Sequence, residues 1–156
     1  MTPGADAVAR ALQRYADRGV FRGLSSHRGR GGRFEFQFTW LMRQPMTLVY
    51  DERAAALTFR NLLPRVGSTA LLREELYELI DGLSTRAVPA HKRIDGRRAR
   101  LIRSARGGNF SLTLVVRGRH HEYAVRKGLN LVNDLFVLLH ASYPDYLVEQ
   151  FGFPAE

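Results

Sequence analysis

The stretch Arg33-Phe34-Glu35-Phe36-Gln37-Phe38-Thr39-Trp40 sets a large aromatic at every second position. Side chains on a β-strand point alternately to opposite faces. This period therefore puts Phe34, Phe36, Phe38 and Trp40 on one side of a strand over 33–41. Four aromatics left in water would form a larger apolar patch than monomers usually expose, so the spacing predicts core packing. The same residue types could stack bases, but the order of elements is not that of RNA-binding sheets.

The pattern has an echo. Gly107-Gly108-Asn109-Phe110-Ser111-Leu112-Thr113-Leu114-Val115-Val116 lines up with Gly31-Gly32-Arg33 and the strand that follows it. A fold in two related halves is the expectation.

Around these strands the chain reads as follows. Val8, Ala11, Leu12, Tyr15 and Ala16 mark a one-sided helix from Thr2 or Asp6 to Asp17, with Pro3 in its first turn and Gly19 after it. Short strands are expected at 20–25, 46–50 and 57–60, separated by a glycine-rich turn at 26–32, Pro45, and Asp51-Glu52-Arg53. Ser68 suits an N-cap for a second helix with Leu72, Leu76, Leu79, Ile80 and Leu83 inward, and Glu74, Glu75, Glu78 and Asp81 in water. Residues 84–96, with Pro89, read as a linker. A strand at 98–105 turns into strand 109–116. Arg117-Gly118 then reads as a two-residue turn into a returning strand at 119–125, because that register keeps the apolar residues of both strands on one face. A largely apolar helix is expected over 128–140. A capping box, Ser142 to Asp145, opens a last short helix ending at Gly152.

The predicted order is α-ββββ-α-βββ-α-α. This is an α+β domain over 1–156: an antiparallel sheet of about seven strands, helices packed on one face, and two pseudo-symmetric hairpin/helix halves. In element order alone it is similar to the helix–three strands–helix–two strands–helix layout of secretion-chaperone-like bacterial domains. A likeness of layout carries no function.

Composition limits the chemistry. A chain of 156 residues is about one domain and needs no covalent staple. It has no cysteine, which removes disulfides, thiolate nucleophiles and Cys-type metal sites, and suits a cytoplasmic protein. No signal-like N-terminus and no run long enough to span a bilayer is seen, so a soluble protein is expected. The formal charge is +9, and Lys92 and Lys127 are the only lysines among 24 basic residues. A positive field attracts anions, although arginine-heavy composition also follows from GC-rich bacterial coding.

Two basic glycine loops match in the two halves. Arg28, Arg30 and Arg33 belong to one, Arg103 and Arg106 to the other. Backbone N–H groups and guanidinium forks suit phosphate or carboxylate, so these five arginines are the candidate anion or nucleic-acid site. His120-His121-Glu122 alternates on the expected strand and cannot converge on a metal; His121 is expected at the rim of the core with a hydrogen bond. No nucleophile elbow, phosphate loop or dinucleotide fingerprint occurs, so no catalytic, cofactor or metal residue is assigned. Asn130, Asn133 and Asp134 form a polar stripe on a mostly buried helix. Tyr143, Tyr146, Phe151 and Phe153 make an aromatic terminus suited to docking on the domain or on a partner, a second copy included. The expected function is a non-enzymatic protein-binding or adaptor domain. The alternative is a nucleic-acid-associated protein using the basic loops.

Overall fold

The chain starts with a capped helix. Pro3 fills the first helical position, where a missing N–H costs nothing, and the Thr2 hydroxyl accepts the Ala5 N–H at 3.2 Å. The helix α1 runs Pro3–Asp17. There follow β1 (Arg22–Arg28), β2 (Arg33–Thr39), β3 (Met46–Asp51), β4 (Ala56–Leu63), α2 (Ala70–Gly82), β5 (Ala99–Ser104), β6 (Phe110–Val116), α3 (His121–Ser142) and α4 (Pro144–Phe151). The computed structural model describes residues 1–68 and 70–154. The side chains of Ser68 and Ala70 fall outside that description, and with them the expected Ser68 cap.

The strands form one antiparallel sheet in the order β1-β2-β3-β4-β6-β5. Phe34, Phe36 and Phe38 pair with Tyr50, Leu48 and Met46 across β2 and β3, and all six side chains are buried. Leu57, Phe59, Leu112 and Leu114 continue this inner face through β4 and β6. The helices cover it: α1 packs on β1 and α3, α3 on β6, and α2 on β5. The other face is polar and open. There the Thr58 and Thr113 hydroxyls hydrogen-bond at 2.9 Å, and Glu35 bridges His27 at 2.6 Å and Arg60 at 2.5 Å. The Arg60 hydrogen bond holds the Glu35 carboxyl below its ordinary pKa.

The sequence echo is realised as symmetry of the sheet. Exchanging β1 with β5, β2 with β6 and β3 with β4 maps the strand order onto itself. Phe36 pairs with Leu48, and its counterpart Leu112 pairs with Phe59, so the Leu48–Phe59 pair lies at the centre of the exchange.

The expected α+β fold with one antiparallel sheet is present, with six strands among the described residues, close to the about seven expected. Several expectations change in detail. Residues 119–125 are not a strand: α3 begins at His121, seven residues before the expected helix. Both edges of β6 are already hydrogen-bonded, to β4 and β5, so no edge is free for a returning strand. In the helix, Ala124, Val125, Gly128, Leu129 and Val132 form one buried stripe. The strand expected at 57–60 extends to Leu63 past a bulge, where Asn61 has φ 49° and its N–H bonds the Ser111 hydroxyl. That bulge breaks the alternation and leaves Leu62 and Leu63 both buried. The Ser142–Asp145 capping box does not form, because Ser142 ends α3 and Tyr143 is the cap residue of α4. Residues 84–96 hold turns rather than regular structure, yet Ile94 is buried and its N–H bonds Leu83 O at 2.9 Å.

Gly128 sets the distance between α3 and the sheet. A Cβ there would lie 2.8 Å from Phe59 Cε2 and 3.3 Å from Leu114 Cδ1. Ordinarily Gly→Ala inside a helix gains about 1 kcal/mol. Both neighbours here are fully buried and have nowhere to move, and overpacking costs about 1–3 kcal/mol. Gly128→Ala is therefore expected to lower stability, by up to about 2 kcal/mol, in urea unfolding. A stabilised variant would show that α3 does not sit this close.

Candidate functional site

An apolar concavity lies at one end of the sheet and is assembled from three stretches of chain. Gly19, at φ 75°, ends α1, and the Val20 N–H returns to Tyr15 O at 3.0 Å. This turn drops Phe21 onto the core, where its ring stacks on Phe38 at 4.3 Å and meets Trp40 edge-on at 6.3 Å. The loop after β2 adds Leu41, Met42 and Arg43. The third stretch is the terminus: Gly152 adopts a left-handed cap at φ 69°, turning the chain so that Phe153 packs against Phe151 at 6.3 Å. Together with Arg22 and Thr39 these residues enclose about 420 Å³, open on one side. Leu41 has φ 65°. For a bulky residue that backbone costs about 1–3 kcal/mol and persists only where the surroundings impose it.

The aromatic terminus is divided. Tyr146 and Phe151 are buried; the Tyr146 hydroxyl donates to Pro64 O, and Phe151 packs against Phe136. Burial pushes the Tyr146 phenol pKa up. Tyr143 is half-buried, and its hydroxyl donates to Glu75 at 2.7 Å, which moves its pKa up to about 12. Phe151 and Phe153 both line the pocket, and of these two Phe153 is partly exposed.

The two arginine–glycine loops lie at diagonally opposite corners of the sheet. Arg28, Arg30 and Arg33 are at the turn of the β1–β2 edge. Arg103 and Arg106 are at the turn of the β5–β6 edge, at the other end. Five strand spacings separate the two edges, about 24 Å. Arg103 is also engaged: it donates to both Asp81 oxygens at 2.9 and 3.0 Å and lies 3.6 Å from the Tyr77 ring centroid. The pairing lowers the Asp81 pKa and raises that of Arg103. The five candidate residues thus do not form one surface.

Asn130, Asn133 and Asp134 line a second, small concavity of about 180 Å³ with Leu83, Ile94, Leu131, His91, Lys92 and Lys127. Ligand pockets usually start near 300 Å³. Lys127 Nζ donates to His91 O at 2.9 Å, and burial, helped by Arg126, lowers its pKa.

The aromatic pocket could have been suspected from its parts, because Val20-Phe21, Trp40-Leu41-Met42 and Phe151–Phe153 are each apolar at the end of an element. Their convergence could not, since it depends on which ends of the sheet meet. No family model, curated protein or solved structure matches the chain. Its likeness to secretion-chaperone-like domains accordingly stays one of element order.

His121 Nε2 lies 3.0 Å from the Tyr50 hydroxyl, with Gly4 of α1 packed over both. Burial lowers the His121 pKa. The unfolded chain, with an ordinary histidine pKa near about 6.5, then binds the proton more readily than the folded protein. Stability contributed by neutral His121 is full above that pH and is lost as pH falls below it. The depressed carboxylates Glu35, Asp81 and Asp95 act in a lower window. Between pH 7.5 and 5.5 the wild type is expected to lose more urea stability than His121→Gln, which keeps a hydrogen-bonding group for Tyr50 but cannot titrate. Parallel pH profiles would remove His121 as the cause.

Proposed function

We propose that the chain is a binding module that docks a protein partner by taking an apolar side chain into the aromatic pocket. The lining carries this reading. Among the described residues it consists of apolar and aromatic residues with two arginines, Thr39 and Gly19, and holds no carboxylate, histidine, lysine or serine. Such a surface offers burial rather than proton transfer. Its volume, about 420 Å³, accommodates one large side chain.

Arg22 and Arg43 are exposed, and neither has an ion pair or side-chain hydrogen bond among the described residues. Charge complementarity therefore gives the partner an acidic group beside its apolar one. The pocket also adjoins the start of β1, a terminal strand of the sheet. An extended segment leaving the pocket can continue along that edge, which favours a length of chain over a free small molecule. The nucleic-acid reading of the two glycine loops has less support, because they lie at opposite corners and Arg103 is already paired.

Selection from a displayed peptide library should enrich segments with Phe, Leu or Trp next to Asp or Glu. Affinity for such a peptide should fall at least about tenfold, about 1.4 kcal/mol, in Val20→Glu and in Met42→Glu, and persist in Thr47→Lys on the open sheet face. Trp40 emission should shift on binding. Peptides that ignore both rim substitutions, or no enrichment at all, would refute this function.

A further inference from the structure

The end of the sheet opposite the pocket is a basic rim. The β1–β2 turn brings Arg28, Arg30 and Arg33 there, and the β3–β4 turn brings Arg53. Arg117 and Arg119 follow β6, and Arg97, Arg98 and Arg100 open β5. Backbone hydrogen bonds join these pieces side by side: Glu52 N to Gly32 O at 3.0 Å, Val116 N to Ala55 O at 2.7 Å, and Arg117 N to Arg98 O at 3.0 Å. The rim therefore crosses all six strands, about 24 Å.

Few acids answer it. Asp95 is taken by Arg97 at 3.3 Å and Arg98 at 3.7 Å. Asp51 lies 3.8 Å from Arg33 and accepts backbone N–H groups of its own turn, Glu52 is a third carboxylate, and Glu122 in the first turn of α3 is taken by Arg14 at 3.0 Å. Arg30, Arg53, Arg100, Arg117 and Arg119 are exposed, with no ion pair or side-chain hydrogen bond among the described residues.

We propose that this rim binds the phosphate backbone of a nucleic acid. Gathering like charges without counter-charge is repulsive, and a polyanion relieves that repulsion. Guanidinium forks match phosphate oxygens in pairs. The charges lie in a line across several turns, which follows a phosphate chain rather than a single anion. A lipid surface fits less well. Among the described residues the large exposed apolar ones are Met1, Val20, Leu71, Ile102 and Val137, and none lies in these rim segments to insert into a bilayer. With contacts to the backbone alone, binding is indifferent to sequence.

The test is fluorescence anisotropy with a labelled oligonucleotide, single-stranded and duplex, between about 50 and about 200 mM salt. The wild type binds at low salt and weakens steeply as salt rises. The triple variant Arg30→Gln/Arg53→Gln/Arg119→Gln loses at least about tenfold in affinity, and its salt slope falls by about 2–3. Arg18→Gln/Arg73→Gln/Arg106→Gln makes the same change in net charge away from both the rim and the pocket lining and keeps wild-type binding. Equal loss in the two triples would mean that net charge alone is read, and would overturn the site. No binding at low salt would overturn it too. So would equal or tighter rim-dependent binding to anionic vesicles or polyglutamate. None of these outcomes bears on the pocket, whose rim substitutions and peptide ligands are different.

Discussion

The approach of α3 to the sheet at Gly128 is the contact around which the rest is arranged. With no side chain at that position, the helix backbone lies directly on Phe59 and Leu114, in the middle of the inner face. The stripe from Ala124 to Leu139 then buries against β4 and β6, and α1 and α4 pack on the flanks of the same helix. Burial of apolar surface is the main favourable term in folding, and nine residues of α3 between Ala124 and Leu139 are buried. Length matters as well. At 22 residues α3 extends about 33 Å, whereas a seven-residue strand such as β6 covers about 23 Å. The helix starts at the rim end, overshoots the strands at the other, and α4 folds back from there. That return delivers Phe151 and Phe153 beside Trp40.

Legibility in the sequence followed the physics of period. Where a side-chain repeat was unbroken and long, as in Phe34–Phe38, Phe110–Leu114 or Val8–Tyr15, element and buried face were both readable. Trouble came where a local feature altered the count. Asn61, in a left-handed bulge, switches the inward positions of β4, so a strand of eight residues looked like four. Residues 121–125 were ambiguous in a different way. His121, Tyr123 and Val125 alternate as a strand does, while Val125, Leu129 and Val132 repeat as a helix does. Only the sheet order, which closes both edges of β6, decides between them. The site was less legible than the fold. Arginine–glycine turns could be found by composition, but the corner each one occupies depends on strand order.

The internal symmetry explains that misplacement. A matched pair of hairpins suggested matched basic loops on a common surface. In an antiparallel sheet, however, an exchange that swaps β2 with β6 must reverse their direction. Equivalent turns are thereby sent to opposite ends. The arginines that do gather with Arg28, Arg30 and Arg33 come instead from non-equivalent segments: the β3–β4 turn, the link between β6 and α3 and the approach to β5. Residues with no repeat relationship meet because three turns share one end of the sheet.

The two ends of the molecule consequently differ in chemistry. One exposes aromatic rings in a recess, and the other exposes guanidinium groups on a ridge. Strands of six to eight residues separate them, about 20–27 Å. A Debye length at physiological salt is about 8 Å, so charge on the ridge is screened from a ligand in the recess. Between the ends lies a close-packed interior in which, among the described residues, no charged side chain is buried, so no buried ionic relay links them. Occupancy of one end therefore leaves the other sterically and electrostatically free. In the proposed reading the domain joins an acidic, apolar segment of one partner to a polyanion, and the two contacts add in free energy rather than switch one another.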